Sequence, residues 1–250
     1  MKKIKKFTLL LASCMLAIGC SCSKVNEETY TNAVNTFKST DALSFSRIEM
    51  ITNINEDNYT RKRVDAIYTF NSNKEVVNME YSLVYSEGSN GGASNTSQTK
   101  KYYYNNERRT LYTYSKIGES QLDTYKETNV TYNAKFNINA CENADCLKMI
   151  TGNFAPMFNL NEVSEFSIED KDGTGVVRFK AVCPSYESCA SSSQVLDYNL
   201  TINKDGNIET LAYDINHGNT TYSIRYTFHG YGSNNVSVEF PADLESYIEK

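Results

Sequence analysis

EVVNMEYSLVY, Glu75–Tyr85, places Val77, Met79, Tyr81, Leu83 and Tyr85 at every second position. Successive side chains of a strand point to opposite faces, so this period of two predicts a β-strand with one buried and one solvent-facing side. Such a strand needs neighbours. Upstream, Leu43–Ile54 and Tyr59–Phe70 carry similar strand patterns. Downstream, after SEGSNGGASNTSQ (Ser86–Gln98), short runs rich in Tyr and Thr follow at Lys100–Tyr104, Arg109–Ser115 and Gln121–Lys126, with polar turns such as Asn105-Asn106 between them. This spacing is that of a meander. The Gly, Ser and Asn of Ser86–Gln98 offer nothing to pack, so the segment is predicted as a long flexible hairpin loop, 86–98.

Before the first strand, Tyr30, Ala33, Val34 and Phe37 recur at i, i+3, i+4 and i+7 until Ser39-Thr40-Asp41 interrupts them, which predicts one amphipathic helix with a sheet to cover. The segment Phe136–Leu160 loses alternation and carries Leu147, Met149, Ile150, Phe154, Met157, Phe158 and Leu160; short helices packed on the concave side of the sheet are expected there. Strand patterns then return at Val163–Glu169, Gly175–Cys183, Gln194–Asn203, Ile208–Ile215, Thr220–His229 and Val236–Phe240. Asp172-Gly173, Asp205-Gly206 and His217-Gly218 supply residues that tolerate the positive φ of tight hairpins. Proline at the first turn predicts a short terminal helix, Pro241–Glu249. The fold class is therefore mainly β (α+β): a single large curved antiparallel sheet, or half-barrel, over residues 30–250.

Nineteen tyrosines and no tryptophan set its texture. Tyrosine suits half-buried strands, so many are expected in the sheet with solvated hydroxyls.

The first residues, MKKIKKFTLLLASCMLAIGC, form a different kind of segment. Four lysines precede an apolar run, Phe7–Ile18, of signal-peptide rather than membrane-spanning length. Small residues lie before both Cys14 and Cys20. The polar sequence begins after Cys20, which favours residues 1–19 as a cleaved leader, although cleavage before Cys14 and a plain secretory leader remain alternatives. The stretch resembles bacterial lipoprotein leaders, which implies a lipidated Cys20, a tether at 20–29, and a place on the outer face of a bacterial membrane, the cell membrane or an outer membrane. Acyl chains hold a protein there by burying methylenes. Loss of Lys2, Lys3, Lys5 and Lys6 with the leader lowers the formal charge of −5 by four, to −9. An acidic body excludes a nucleic-acid partner of the usual kind and leaves attachment to the lipid.

Cysteines 141 and 146, and 183 and 189, form two close pairs, with Cys22 left over. Outside the cytoplasm disulfides are the default, and the local pairings Cys141–Cys146 and Cys183–Cys189 are favoured over the crossed ones. Free thiols or a four-cysteine zinc site are the alternatives, the latter weakened by the lack of C-x2-C knuckles.

The chain has no nucleophile elbow, HExxH, P-loop or GxGxxG motif, and no cofactor or metal is expected. Two acidic turns fail as calcium loops, since positions 1 and 12 would be Ile168 and Phe179, or Thr201 and Ala212. His217 and His229 are the available imidazoles, and neither lies in a recognisable setting. Arg61-Lys62-Arg63, Lys100-Lys101 and Arg108-Arg109 read as protective charges on strands, with a basic rim as the alternative.

The order of elements, with AVNTFKSTDALSFSRIEM (Ala33–Met50), LDYNLTINKDGNIETLAYDI (Leu196–Ile215) and NNVSVEFPAD (Asn234–Asp243), resembles the LolA/LprG-like half-barrel lipoproteins. That resemblance implies a sheet wrapped around an apolar cavity. The expectation is a lipid-anchored, non-enzymatic binding or carrier protein for lipids or other hydrophobic ligands; a surface protein that binds another protein or a cell-wall component is the alternative.

Overall fold

The computed structural model describes residues 26–72, 76–89, 96–118, 120–129, 163–183, 189–191 and 193–249. Among them, α1 (Glu27–Ser39) precedes β1 (Ala42–Asn53), β2 (Asn58–Phe70), β3 (Val76–Ser89), β4 (Thr96–Asn105), β5 (Thr110–Ile117) and β6 (Ser120–Glu127). A second run follows: β7 (Ser164–Lys171), β8 (Thr174–Val182), β9 (Val195–Ile202), β10 (Ile208–His217), β11 (Thr220–Tyr231) and the two-residue β12 (Ile248–Glu249). All belong to one sheet, in the order β12-β6-β5-β4-β3-β2-β1-β11-β10-β9-β8-β7. Two meanders are thus joined along β1 and β11, whose register runs from Leu43 opposite Tyr231 to Asn53 opposite Thr220. Pairing is antiparallel except where β12 lies parallel to β6.

The alternation of Glu75–Tyr85 does what its period requires: Met79 pairs with Tyr68 and Tyr104, and Tyr81 with Ala66 and Tyr102, all on the inner face of the curved sheet. The same face carries Phe45, Val64, Leu111, Val177, Phe179, Tyr198, Leu200, Leu211, Tyr213, Ile224 and Tyr226, each buried. Asn26 caps α1 through its side chain, with Thr29 returning the bond to complete a capping box. Phe37 then meets Phe228 edge-on at 5.3 Å, and Tyr30 meets Phe166 at 5.1 Å. Burying side chains of this size is worth about 1.5–3 kcal/mol each, so packing rather than propensity holds the helix.

Several expectations need correction. The helix starts at Glu27, inside the expected 20–29 tether, because Asn26 supplies the cap and Glu27 and Glu28 suit the first turn. Strand pairing extends into the expected 86–98 loop, with Ser86 opposite Ser97 and Glu87 opposite Thr96, since backbone pairing asks little of side chains. Val236–Phe240 is not a strand, and Pro241–Glu249 is not an α-helix but a 3-10 turn at Leu244–Ser246 followed by β12. Here Leu244 and Tyr247 are buried against Tyr103 and Tyr112, a contact that outweighs local helix preference. Tyr68, Tyr81, Tyr198 and Tyr226 are fully buried rather than wet-tipped, filling the core of a chain without tryptophan. The hairpin turns keep their predicted chemistry: Gly173, Gly206 and Gly218 all take positive φ. The central patch at 136–160 lies outside the described residues.

Candidate functional site

In β1 the inner-face parity runs Leu43, Phe45, Arg47, Glu49, so two charged residues occupy core positions. Arg47 is 3% exposed. Its Nη1 donates to Glu49 Oε2 at 2.6 Å, and its Nε donates to Tyr226 Oη at 3.0 Å. Lys62, inward-facing on β2, reaches Glu49 Oε1 at 3.2 Å. The guanidinium carbon also lies 5.7 Å from the Tyr226 ring centroid, within cation–π range. Burial pushes the Glu49 carboxyl up, but Arg47 and Lys62 together pull it below its ordinary value. A buried charge must be paired in this way, because desolvating an ion alone costs several kcal/mol. The signal was present in the sequence: charges at the apolar parity of a strand mark either a solvated half or a paired polar spot.

The outer face of the same strand carries a second polar chain. Arg63 donates to both carboxylate oxygens of Asp65, at 2.8 and 3.0 Å, and Ser46 Oγ donates to Asp65 Oδ1 at 2.6 Å. His229 Nε2 lies 2.7 Å from Ser46 Oγ. The register shift at Ser44/Phe45 leaves His229 as the extra residue between Phe228 and Gly230, a bulge that sets the ring on the outer face. Burial raises the Asp65 carboxyl, yet the hydrogen bonds from Arg63 and Ser46 hold it below its ordinary value, so it accepts rather than donates. The hydroxyl proton of Ser46 is thereby committed to Asp65. The Ser46–His229 bond must then be donated by Nε2–H. A catalytic serine would need the reverse, with the imidazole accepting its proton and the carboxylate behind the imidazole. The order Asp–Ser–His therefore does not activate Ser46.

His229 also borders a cavity of about 340 Å³ between the sheet and the C-terminal segment, with Glu80 of β3 on one side and Glu239 on the other. Burial, with the nearby Glu239 adding to it, raises the Glu80 carboxyl above its ordinary value against the opposing charge of Lys101. Neither carboxylate nor the imidazole's place here was legible from any motif.

Of the residues expected to carry function, Cys183 and Cys189 are joined by a disulfide with Cα atoms 6.4 Å apart. Cys20, Cys141 and Cys146 lie outside the described residues. His217 ends β10 in the turn before β11. Of the basic residues, Lys62 turns inward to Glu49, Arg63 outward to Asp65, and Arg108 to Glu245. No group of three metal-ligating side chains occurs among the described residues. None of the described helices is long and apolar enough to cross a membrane.

What these features define is a mainly β chain built on one large curved antiparallel sheet, with an N-terminal helix on its inner face. No family model matches it, and no curated protein matches its sequence. Among solved structures it is similar to LprF from Mycobacterium bovis, at 14% identity over 87% of this chain and 98% of that one, with a TM-score of 0.43. It is also similar to a β-barrel-like DUF1849 protein from Brucella abortus, at 10% identity over 79% and 99% of the two chains and a TM-score of 0.30. A DUF1329 protein from Desulfovibrio piger follows, at 8% identity over 87% and 95%, with a TM-score of 0.27.

Proposed function

We propose that this protein is a lipid-anchored lipoprotein on the outer side of a bacterial membrane, and that the inner face of its sheet binds a lipid or other hydrophobic ligand without catalysing a reaction. What supports this reading is the continuous apolar inner face, from Val177 and Phe179 on β8 across to Tyr104 and Leu111 on β4 and β5; these side chains are buried in the core, so a ligand would enter by parting them. The ring contacts of α1 reach β7 and β11, at one side of that expanse. The Arg47–Glu49–Lys62 group supplies a polar spot within it, suited to the head of an amphipathic ligand. The leader ending at Cys20 and the Cys183–Cys189 bond both fit an oxidising, extracytoplasmic compartment.

Two measurements on the full chain expressed in a bacterial host test it. Mass spectrometry of the membrane-extracted protein is expected to find a mature N-terminus at Cys20 carrying a diacylglyceryl group, and Cys20→Ala to leave the leader uncleaved. Solvent extraction of the purified protein is expected to release lipid, and a fluorescent acyl probe to bind saturably. An unmodified Cys20 sinks the anchor, and no lipid together with no probe binding sinks the carrier reading.

A further inference from the structure

Five large apolar side chains are exposed among the described residues, and four of them share one rim of the sheet: Ile54 at 79%, Val195 at 55%, Val182 at 51% and Ile117 at 43%. The register places them there. β1 ends at Asn53 opposite Thr220, where β10 turns into β11, and the Ile54 N–H donates to Asn219 O at 2.9 Å. Val182 and Val195 face each other where β8 ends and β9 begins, and Gln194 Nε2 donates to Asn216 O at 3.3 Å, beside that same turn. On the other side of Ile54, Asn58 opposite Ser89 carries the rim across β2 and β3, and Ile117 closes β5 opposite Gln98. Tyr59, half-buried, stands just inside the rim on β2. Exposed apolar side chains scattered singly need no explanation. Four on one rim do, when the opposite rim has none among the described residues.

Helix α1 turns the N-terminal side of the chain toward this rim. Its last turn packs Phe37 on Phe228 and Tyr231, and Tyr231 lies opposite Leu43 at the far end of the strands. Its first turn packs Tyr30 on Phe166, next to the Ser164–Lys180 pair and close to the Val182 end of β8. The chain therefore enters α1 at Asn26 from the side of the exposed rim. Residues 20–25 separate Asn26 from Cys20, and fully extended they reach at most roughly 20 Å. An acyl group on Cys20 holds this rim, rather than the opposite one, near the bilayer. Isoleucine and valine gain by leaving water, and tyrosine suits the water–lipid boundary. Glu56 and Asp57, exposed in the turn after Ile54, oppose an anionic surface, so the contact is apolar rather than electrostatic.

Resting on the anchored reading above, we propose that the rim carrying Ile54, Ile117, Val182 and Val195 docks on a phospholipid bilayer of low net charge. These side chains enter its interfacial layer, and the sheet is held in one orientation rather than swinging on its tether.

The chain has no tryptophan, which makes the test direct. Ile54→Trp and Val195→Trp each place one indole on the rim, and Glu107→Trp places one in the turn between β4 and β5, at the opposite end. Each full chain, extracted from a bacterial host and reconstituted into phosphatidylcholine vesicles, is read by emission wavelength and by quenching from brominated acyl chains. The rim indoles are expected to shift to the blue and be quenched, and the Glu107→Trp indole to do neither. In the Ile54→Trp protein, adding Val182→Asp and Val195→Asp should remove most of the quenching, with the urea midpoint unchanged because both side chains are exposed. In 1 M salt, where the screening length falls to about 3 Å, quenching should persist. Rim indoles quenched no more than Glu107→Trp, quenching undiminished by the two aspartates, or quenching lost in 1 M salt would each overturn the docking. A dimer in sedimentation with unquenched rim indoles would overturn it too, by giving the rim to a second copy. Mass spectrometry of the same samples reports the N-terminus separately. Quenched rim indoles on a chain with unmodified Cys20 keep the docking and sink the anchor; unquenched ones on a lipidated chain do the reverse.

Discussion

Along β1, Phe45 faces inward, 1% exposed and stacked on Tyr68 at 6.1 Å, whereas its neighbour Ser46 faces outward into a polar chain with Asp65 and His229. The two faces of one sheet are held by different forces. Inside, aromatic and aliphatic side chains from both meanders pack on one another and on α1. Outside, the sheet is covered where the C-terminal segment lies, through the smaller Tyr103, Tyr112, Leu244 and Tyr247 cluster, and elsewhere it presents ion pairs such as Arg178–Glu169. The contrast extends to titration. Glu49 on the inner face is lowered by Arg47 and Lys62, while Glu80 on the outer face is raised by burial and by Glu239. Depth alone does not set a carboxyl's behaviour; its neighbours decide.

The largest expected effect is on the inner face. Phe45 touches Tyr68, Tyr226 and Phe228, so Phe45→Ala should cost about 3–5 kcal/mol, read as a lower urea midpoint. A cost below about 1 kcal/mol would mean that the inner face repacks freely and is not a fixed core. Next comes the buried polar spot. Glu49→Gln leaves Arg47 without its carboxylate and should cost about 3 kcal/mol at pH 7, whereas the double change Arg47→Met with Glu49→Leu should recover most of that. For Glu49 the folded pKa is depressed, so its stabilisation is present above the unfolded value of about 4.3 and is lost as pH falls through the folded value. Glu80 has the opposite sign: its folded pKa is raised, so stability is lost as pH rises from the unfolded value through the folded one. Unfolding curves of Glu49→Gln and Glu80→Gln against pH should therefore diverge from the parent in opposite directions.

The outer cluster follows. Leu244 is 3% exposed among tyrosines, and Leu244→Ala should cost about 2–3 kcal/mol, with amide exchange accelerating first around β12 and β6. Uniform acceleration over the whole sheet would instead make the C-terminal segment part of the main core.

These differences explain what the sequence disclosed. Strands with one apolar parity, such as Val76–Ser89, and turns needing positive φ, such as Gly206, were legible because their causes are local. The crossing of Val236–Glu249 was not, because Phe240, Leu244 and Tyr247 look the same in sequence whether they line a helix or cover tyrosines on distant strands. The outer cavity was equally hidden. Glu80, His229 and Glu239 are brought together by strand order and by one bulge, and neither is written in their spacing. Arg47 and Glu49 were a missed chance, since both fall on the apolar parity of β1.

The smallest effect distinguishes how the outer segment is held. Arg108 Nη1 lies 2.6 Å from Glu245 Oε1, with Lys126 at 3.8 Å from the other oxygen, so a network of charges accompanies the buried tyrosines. Both Arg108 and Glu245 are about two-thirds exposed, at 66% and 63%, and exposed pairs contribute roughly 0–1 kcal/mol. Arg108→Ala should therefore shift stability by no more than about 1 kcal/mol in dilute buffer. In 1 M salt, where the screening length falls to about 3 Å, parent and variant should become indistinguishable. A loss above about 2 kcal/mol that survives 1 M salt would mean that Arg108 packs its stem on the aromatic cluster, and that the segment is held by this contact as much as by Leu244.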